Sequence, residues 1–579
     1  MTSPNEQNAA DASRAALRLQ NGVSAPFDAV PVFSLSYFTH WLAVSVREGL
    51  RVSSFFALPF GTTAEPAYAA PLGAAPDTSA DGAPDAAGRP DGGPDSGPYS
   101  GDDGGRNAEP DAPADARPDT GSAAPDDAQS PPSEPLFRIF AVLSDDANSA
   151  IYVACTETGQ KYPSLTPRLP QLHLFERELY EQHGITPEGH PWLKPVRFEK
   201  NSGPPVGVMD FYRVEGDEVH EVAVGPIHAG VIECGHFRFQ CLGEIVMHLE
   251  ISLGYHHRGL AALLTGGPHA RTLPLMEVTA GDSTIAHTWA YCTLVEALAD
   301  APPSPRGQLV RALALELERL ANHTGDLGAI AGDVGFLPTL SYCGRLRGDW
   351  LNMSALLSGS RFGRGLLTPG GCAFDVDASV LPLLKERLEA TARDTEGAVR
   401  LIWNSPSVMS RLTGTGAVST EDAAAIGLVG PAARACGLGR DVRHSHPLPQ
   451  LPRPPERVLA KKGDVRARTE VRHREIGASV AFCSRLLNEF LEPADPGAAR
   501  VETPAPLPGR IAVALVEGWR GEVCHVGITG ADGTLASHTV TDPSFHNWMG
   551  LALALRNQQI SDFPLCNKSF NLSYCGHDL

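Results

Sequence analysis

The stretch Glu277-Val278-Thr279-Ala280-Gly281-Asp282-Ser283-Thr284-Ile285-Ala286-His287 is the most informative part of this chain. Tyr291 follows His287 by four residues, so their side chains share one face of the helix that the pattern predicts. A second informative stretch, Ile560–Gly576, ends in Ser573-Tyr574-Cys575-Gly576. Each stretch places two small residues three positions apart: Ala280 and Ser283 in the first, Ser573 and Gly576 in the second.

Length and composition indicate a multidomain globular protein. With 579 residues the chain exceeds what one hydrophobic core supports, so two or three domains are expected. The formal net charge of −20 argues against nucleic acid as a partner. The eleven cysteines follow no regular framework, so reduced thiols and a cytoplasmic location are expected.

Two segments lack the composition of a folded core. Residues 61–135 are rich in Gly, Pro, Ala, Asp and Ser, which predicts a disordered acidic insertion. Residues 1–25 are polar and Ala-rich, with no secretory pattern, and are also expected to be disordered. No apolar run reaches the roughly 18–20 residues that a membrane span needs. Membrane association is therefore expected to go through partner subunits.

Hydrophobic periodicity predicts an α+β protein. The predicted helices are Leu35–Glu48, Gln308–His323 and the segments 343–357, 379–402, 419–427 and 468–492. The predicted strands are Leu50–Leu58, Phe137–Leu143 and Ser149–Thr156, with strands also within Val219–Phe239 and Ile511–Thr529. Leu309, Leu313, Leu317 and Leu320 form one stripe, which is typical of an amphipathic helix facing a core.

Several motifs occur in a fixed order along the second part of the chain. They include Gly225-Pro226-Ile227-His228, Glu233-Cys234-Gly235-His236-Phe237-Arg238, Gly254-Tyr255-His256-His257-Arg258-Gly259, Asp441-Val442-Arg443 and Gly463-Asp464-Val465-Arg466-Ala467-Arg468. Together with the two stretches above, they resemble the large subunit of formate-hydrogenlyase-type energy-converting hydrogenases. They resemble, more distantly, the quinone-side large subunit of respiratory complex I.

A shorter resemblance covers the preceding domain. Glu176-Arg177-Glu178-Leu179-Tyr180, followed by Glu188-Gly189-His190-Pro191, resembles the small peripheral-arm subunit of complex I. The resemblance implies a small α/β domain at 26–200, interrupted by the insertion at 61–135. It implies a larger domain at 201–579, with a β-rich start and a mainly helical core like that of a nickel-iron hydrogenase large subunit.

The resemblance also implies that the metal ligands of the hydrogenase family are missing. In the hydrogenase family each of the two stretches supplies a Cys-x-x-Cys pair to nickel and iron. Here those places hold Ala280, Ser283, Ser573 and Gly576, and none of these side chains replaces a soft thiolate ligand. We therefore expect no nickel-iron centre. Any iron–sulfur cluster or NAD site is expected on partner subunits, because no Gly-x-Gly-x-x-Gly follows a predicted strand.

A quinone is the substrate that the complex I resemblance implies. Tyr291 and His287 are candidates for the quinone site, with His228 or His236 as a second histidine contact. Histidine and tyrosine suit this role because they donate hydrogen bonds and transfer protons. A buried tyrosine with a satisfied hydroxyl and structural histidines are the alternatives.

The predicted function is that of an oxidoreductase subunit. It passes electrons from a partner iron–sulfur subunit to quinone, beside antiporter-like membrane subunits at the cytoplasmic face of the cell membrane. One alternative is a non-catalytic scaffold of such a complex. The other is a hydrogenase with a rearranged metal site built from Cys575, His577 and Cys292, with Cys566 a further candidate ligand. The motif arginines, which also include two in further family-like strings, are expected mostly in interfaces or buried ion pairs: Arg319, Arg434, Arg443, Arg466 and Arg468.

Overall fold

The computed structural model describes residues 15–59, 137–199, 204–228, 232–491 and 497–579. Its strands are β1 (Leu17–Leu19), β2 (Ser24–Pro26), β3 (Val32–Phe33), β4 (Arg51–Pro59), β5 (Phe137–Asp145), β6 (Ala150–Thr158), β7 (Lys161–Pro163), β8 (Thr186–Glu188), β9 (Val219–Val224), β10 (His236–Leu242), β11 (Ile245–Ser252), β12 (Leu367–Thr368), β13 (Gly371–Cys372), β14 (Arg510–Gly518), β15 (Gly521–Thr529) and β16 (Leu535–Thr541).

Its α-helices are α1 (Leu35–Arg47), α2 (His173–His183), α3 (Leu260–Leu264), α4 (Thr272–Met276), α5 (Thr284–Leu298), α6 (Pro305–Asp333), α7 (Leu337–Ser358), α8 (Leu381–Trp403), α9 (Pro406–Leu412), α10 (Thr420–Ala425), α11 (Gly430–Ala435), α12 (Val442–Ser445), α13 (Val465–Arg485), α14 (Pro543–Ala554), α15 (Phe563–Phe570) and α16 (Tyr574–Asp578). The α+β class expected from the sequence is confirmed, with small sheets and a mainly helical second part.

The first part of the chain folds around one sheet of five strands. Its hydrogen-bonded order is β1-β6-β5-β4, and β3 pairs in parallel with β6. β5 and β6 pair antiparallel with Phe137 opposite Thr158, and α1 packs on this sheet through Trp41, which is fully buried. The expected insertion at 61–135 lies outside the described residues.

The expectation of disorder through residue 25 is wrong for residues 15–25. β1 joins the first sheet, and β2 pairs with β14 near the other end of the chain, with Pro26 opposite Arg510. Asn21 lies between them and donates from Nδ2 to the carbonyl oxygen of Leu515 at 2.9 Å. These short strands depend on partners hundreds of residues away, so local composition does not reveal them. Residues 1–14 lie outside the described part.

The second part builds its core from helices. α6 packs against α7, α13 and α5, while α5 lies against β14 and β15 of the four-stranded sheet β16-β15-β14-β2. α6 begins with Ser304 as N-cap and Pro305 at its first position, and it extends well beyond the predicted Gln308–His323. Its polar side is buried as well as its leucine stripe: Arg319 and His323 are both 0% exposed. The helix is therefore enclosed on more faces than the amphipathic pattern predicts.

Candidate functional site

The two informative stretches of the sequence meet in the folded chain. Arg258 joins them, since its Nη2 donates to the carbonyl oxygens of Thr279 at 2.8 Å and Cys575 at 2.9 Å. Arg520 joins them again, because it donates from Nη2 to Asp282 Oδ2 at 2.8 Å and from Nε to the Asn571 carbonyl at 2.6 Å. We call this place the motif junction: residues 280–283, before α5, together with residues 573–576, at the start of α16.

The four family ligand places at the motif junction are buried. Ala280 is 0% exposed and Ser283 and Ser573 are each 3% exposed. Ser573 caps α16, because its Oγ accepts from the Gly576 backbone N–H at 2.9 Å. A Cβ atom added at Gly576 would lie 2.7 Å from Asp542 Cγ. The Asp542 carboxylate thus fills the space that a side chain at position 576 would need.

Asp542 is held in place from two sides. It caps α14 by accepting from the Ser544 backbone N–H at 2.7 Å. It also pairs with His287, whose Nε2 lies 2.9 Å from Asp542 Oδ2. Burial alone would raise the pKa of Asp542, but hydrogen bonding and charge from His287, together with the charge of Arg520, hold this pKa below its ordinary value. An ionised carboxylate therefore lies beside Gly576.

Three histidines continue from this carboxylate into the protein. His287 Nδ1 lies 3.3 Å from His525 Nε2, and His525 Nδ1 lies 3.2 Å from His538 Nε2. Burial lowers the pKa of His525 well below its ordinary value, an effect to which His538 and His287 add. Burial lowers the pKa of His538 to about 3. His525 and His538 are therefore neutral near pH 7.

The hydrogen bonds of this row start at Asp542. Its carboxylate only accepts, so His287 donates from Nε2. Each of the next two contacts joins one ring nitrogen to another, so one nitrogen donates and the other accepts. His538 Nδ1 has no partner among the described residues. Such a row transfers a proton by successive exchange between imidazole rings. We call Asp542, His287, His525 and His538 the histidine relay.

Tyr291 lies at the inner end of the histidine relay. It is one helical turn after His287 in α5, as the spacing predicts, and it is 2% exposed. Its ring stacks on His538 with centroids 5.8 Å apart. Burial raises the pKa of the Tyr291 hydroxyl, so this group stays protonated. Tyr291 is thus connected to the motif junction through successive contacts of His538, His525 and His287.

His228 and His236 lie apart from Tyr291. His228 lies in the connection between β9 and β10, and its Nε2 is 2.8 Å from the Gly235 carbonyl oxygen. His236 is the first residue of β10, and its Nδ1 is 3.4 Å from the Gly225 carbonyl oxygen. This connection contacts the motif junction through Gly235, which packs against the Tyr574 ring. Among the described residues, neither histidine is hydrogen-bonded to Tyr291 or His287; residues 229–231 are outside that set.

Burial keeps the thiols of the cysteines that the sequence offered as ligands, Cys292, Cys566 and Cys575, protonated. Cys575 is half-buried, and burial raises the pKa of its thiol to about 11. Burial also raises the pKa of Cys566 to about 12. His577 Nδ1 lies 2.9 Å from Asp578 Oδ1 instead of facing a cysteine. In the described ranges no group of three or more His, Cys, Asp or Glu side chains is arranged to hold a metal ion.

A large ion-pair cluster lies behind the motif junction. Arg434 donates to Glu475 at 2.8 Å and to Glu517 at 2.6 Å, and all three side chains are nearly fully buried. The other members are Arg319, Arg443, Glu316, Asp441 and His323. Arg468 is equally buried but donates to backbone carbonyls and Ser569, while Arg466 is half-buried. Three of the motif arginines thus form buried ion pairs.

Sequence reasoning missed the residues that organise this site. Asp542, His525 and His538 belong to no motif, and they meet His287 only because β15, β16 and the start of α14 fold against α5. One local signal existed: Asp542 precedes Pro543, the pattern of a helix N-cap. The single histidines of β15 and β16 carry no comparable signal.

Two segments of the chain match known protein families. Residues 122–205 match the family described as the 30 kDa subunit of respiratory-chain NADH dehydrogenase, and residues 333–508 match its 49 kDa subunit. None of the described helices is long and apolar enough to cross a membrane.

The chain matches three curated relatives over most of their own lengths. Formate hydrogenlyase subunit 5 of Escherichia coli is 29% identical over 76% of this chain and 81% of its own. Hydrogenase-4 component G of Escherichia coli is 28% identical over 72% and 75%. NADH-quinone oxidoreductase subunit 4 of Thermus thermophilus is 29% identical over 60% and 90%.

A solved structure supports the fold alone. One chain of the membrane-bound sulfane sulfur reductase, an archaeal respiratory membrane complex, superposes with a TM-score of 0.58 at 22% identity. The superposition covers 64% of this chain and 100% of that one. The two matched segments and the fold lead to one conclusion: this chain joins, in a single polypeptide, a domain of the 30 kDa-subunit family and a domain of the 49 kDa-subunit family of respiratory-chain NADH dehydrogenase.

Proposed function

We propose that this chain is an oxidoreductase subunit that passes electrons from a partner iron–sulfur cluster to a quinone, without a nickel-iron centre. Its relatives belong to NADH-quinone oxidoreductase, formate hydrogenlyase and hydrogenase-4, so a membrane-bound respiratory complex is the setting. The partners would be an iron–sulfur small subunit and antiporter-like membrane subunits, with the chain peripheral to the cytoplasmic face. Any NAD would bind elsewhere in the complex.

The relation between Gly576 and Asp542 carries this proposal. The places of the four family thiolates hold Ala280, Ser283, Ser573 and Gly576, and Asp542 fills the space beside the last of these. A hard carboxylate oxygen and two serine hydroxyls do not match the soft ligands that nickel and iron use in such sites. The donor set therefore does not fit a nickel-iron centre, and no step of the proposed reaction involves one.

The histidine relay suits the proton requirement of quinone reduction. A quinone takes two electrons and two protons to become a quinol; the partner cluster would supply the electrons and solvent the protons. His287, which pairs with Asp542 beside Gly576, would transfer a proton to the motif junction. His228 and His236, at the neighbouring β9–β10 connection, are the candidates for contact with the ring. Tyr291 would act as a positioning residue, because it stacks on His538 behind the relay.

A scaffold without catalysis is the second candidate function. The complete burial of His287 and of Tyr291, at 0% and 2% exposure, favours it, since neither side chain reaches solvent directly. A scaffold would bind neither metal nor quinone. Its buried histidines would then contribute to packing only.

The deciding experiment is metal and quinone analysis of the complex purified from its native host. Nickel, iron and quinone would be quantified per copy of this chain. The proposal expects bound quinone, iron from the partner and no nickel. Nickel at one per chain would overturn it, and the absence of both nickel and quinone would favour the scaffold.

A further inference from the structure

A cavity of about 150 Å³ lies outside the motif junction, within the second part of the chain. Its apolar walls come from side chains such as Leu315, Phe482 and Val516, and its outer wall is the Pro-rich segment 447–455. A cavity of about this volume, lined by aliphatic and aromatic side chains, holds a benzene-sized ring. We call this space the Trp289 chamber.

Two buried polar atoms on the lining side chains have no partner. The Trp289 indole N–H and His446 Nδ1 belong to residues that are 3% and 2% exposed, and both are unpartnered among the described residues. Leaving a buried polar group unpaired costs about 1–3 kcal/mol, so such groups are rare without a functional reason. The chamber therefore offers two unused hydrogen-bonding positions.

The other nitrogen of His446 is oriented across the domain boundary. His446 Nε2 lies 3.1 Å from Asp146 Oδ1, and Asp146 is bound by Arg51 Nε at 2.9 Å. Burial alone would raise the pKa of Asp146, but Arg51 and His446 hold this pKa well below its ordinary value. Because the ionised carboxylate only accepts, His446 donates from Nε2. Its Nδ1 is then an acceptor in the neutral ring, or a donor in the charged ring.

The charges at the chamber compensate each other. Arg443 lines it but donates from Nη1 to Glu316 at 3.0 Å and from Nη2 to Asp441 at 2.7 Å. Glu517, a further lining residue, accepts from Arg434 at 2.6 Å. Arg453, the remaining charged residue of the lining, is exposed in the outer wall. The buried charged groups of the lining are thus paired within the protein, so the interior of the chamber suits a neutral molecule.

A second cavity of about 380 Å³ adjoins the chamber and shares Pro454, Pro455 and Phe482 with it. Its lining includes Arg474 and Arg485, whose side chains are at or near the surface. The space beyond the chamber therefore has room for a substituent on the ring.

We propose that the Trp289 chamber binds one neutral aromatic or quinoid ring. One ring oxygen accepts from the Trp289 indole N–H; the other, as a hydroxyl, donates to Nδ1 of neutral His446 or, as a carbonyl, accepts from Nδ1 of charged His446. Two sources share this chemistry: the ring of a membrane quinone and a small free phenol or quinone. The first source rests on the proposed function, whereas ring binding itself does not. The chamber is separate from the motif junction, because Trp289 and His446 are not among the residues that build that site.

The test is equilibrium dialysis of the purified complex with labelled duroquinone, a quinone ring without a tail. Trp289→Phe removes the indole N–H and keeps an aromatic ring, so we expect affinity to fall roughly five- to tenfold. Trp350→Phe is the matched control, since Trp350 is also fully buried with an unpartnered N–H but does not line the chamber. Its affinity should equal that of the wild type.

A filling variant tests the same site independently. Ala312 lines the chamber, and Ala312→Leu should reduce duroquinone binding by occupying its volume. Competition with decylubiquinone identifies the source: displacement of duroquinone indicates a membrane quinone, and no displacement indicates a small free ring. The proposal is overturned if duroquinone shows no saturable binding, or if Trp289→Phe and Ala312→Leu bind it like the wild type.

Each of the two proposals can be refuted independently of the other. If duroquinone binding is lost in His287→Gln and kept in Trp289→Phe, the ring binds at the motif junction and the chamber proposal is wrong. If Trp289→Phe loses the ring in a complex that reduces no quinone, the chamber proposal stands and the proposed function fails.

Discussion

His287 Nε2 lies 2.9 Å from Asp542 Oδ2, and both side chains are fully buried beside Gly576. A buried carboxylate is costly unless it is paired, so each partner depends on the other. The pair places a proton-transferring ring at the junction of two segments that are 290 residues apart in the sequence, 283 and 573.

Replacement of His287 should remove proton transfer to the motif junction. His287→Gln is expected to lower quinone-linked turnover of the assembled complex by roughly 100-fold, the usual contribution of a positioned acid–base group. His220→Gln is the control, because His220 is exposed on β9. Unchanged turnover in His287→Gln, with the complex intact, would rule out a role for the relay.

Tyr291→Phe separates a quinone-reducing subunit from a scaffold. The change removes the hydroxyl, which pairs with Thr272, so the ring that stacks on His538 loses its anchor. If Tyr291 positions the relay, turnover should fall by about tenfold or more and its pH profile should shift, while assembly is unaffected. A silent substitution in both readouts would support the scaffold.

The buried histidines should make the fold sensitive to acid. The pKa of His538 is about 3 in the folded chain and about 6.5 when unfolded, so the unfolded state binds more protons between these values. Protonation of His538 in the unfolded state therefore lowers the free energy of unfolding progressively as the pH falls from about 6.5 towards about 3. His538→Leu should reduce this slope by up to about 1.4 kcal/mol per pH unit, measured by urea denaturation at several pH values.

Gly576 is expected to tolerate no side chain while Asp542 keeps its position. Gly576→Ala places a Cβ atom 2.7 Å from Asp542 Cγ and should lower the free energy of unfolding by about 1–3 kcal/mol. Gly397→Ala is the control, because nothing lies within 4 Å of the added atom on the exposed face of α8. That variant should gain up to about 1 kcal/mol from helix propensity. Equal effects on denaturation midpoints would contradict the packing described here.

The ion-pair cluster should be sensitive to the loss of a single charge. Arg434→Met leaves Glu475 and Glu517 buried without their shared guanidinium, so we expect a loss of about 3–5 kcal/mol in the free energy of unfolding. Arg345→Met is the comparison, since Arg345 forms only exposed ion pairs and should change stability by less than about 1 kcal/mol. Similar stabilities for the two variants would contradict a structural role of the cluster.

Local pattern predicts much of this fold. The strands at 50–58 and 137–143 and the helices at 35–48 and 379–402 are each found within a few residues of their expected bounds. Periodicity succeeds for the two helices because each buries one face against a neighbour, which leaves a repeating apolar signal. The two strands are almost entirely buried and are recognised instead as short runs of apolar residues. Local pattern fails for β1 and β2, three residues each, because strands that short are stabilised by pairing with distant strands.

The sequence also determined which residues could serve the site, through the order of its motifs and the spacing of His287 and Tyr291 in one helix. Their relative positions were decided by the tertiary structure alone. It brought Asp542 against Gly576, aligned His525 and His538 behind His287, and left His228 and His236 just before and at the start of β10. The physical reason is that hydrogen-bonded networks depend on side-chain positions within a few tenths of an ångström, and residues hundreds apart acquire such positions only in the packed structure.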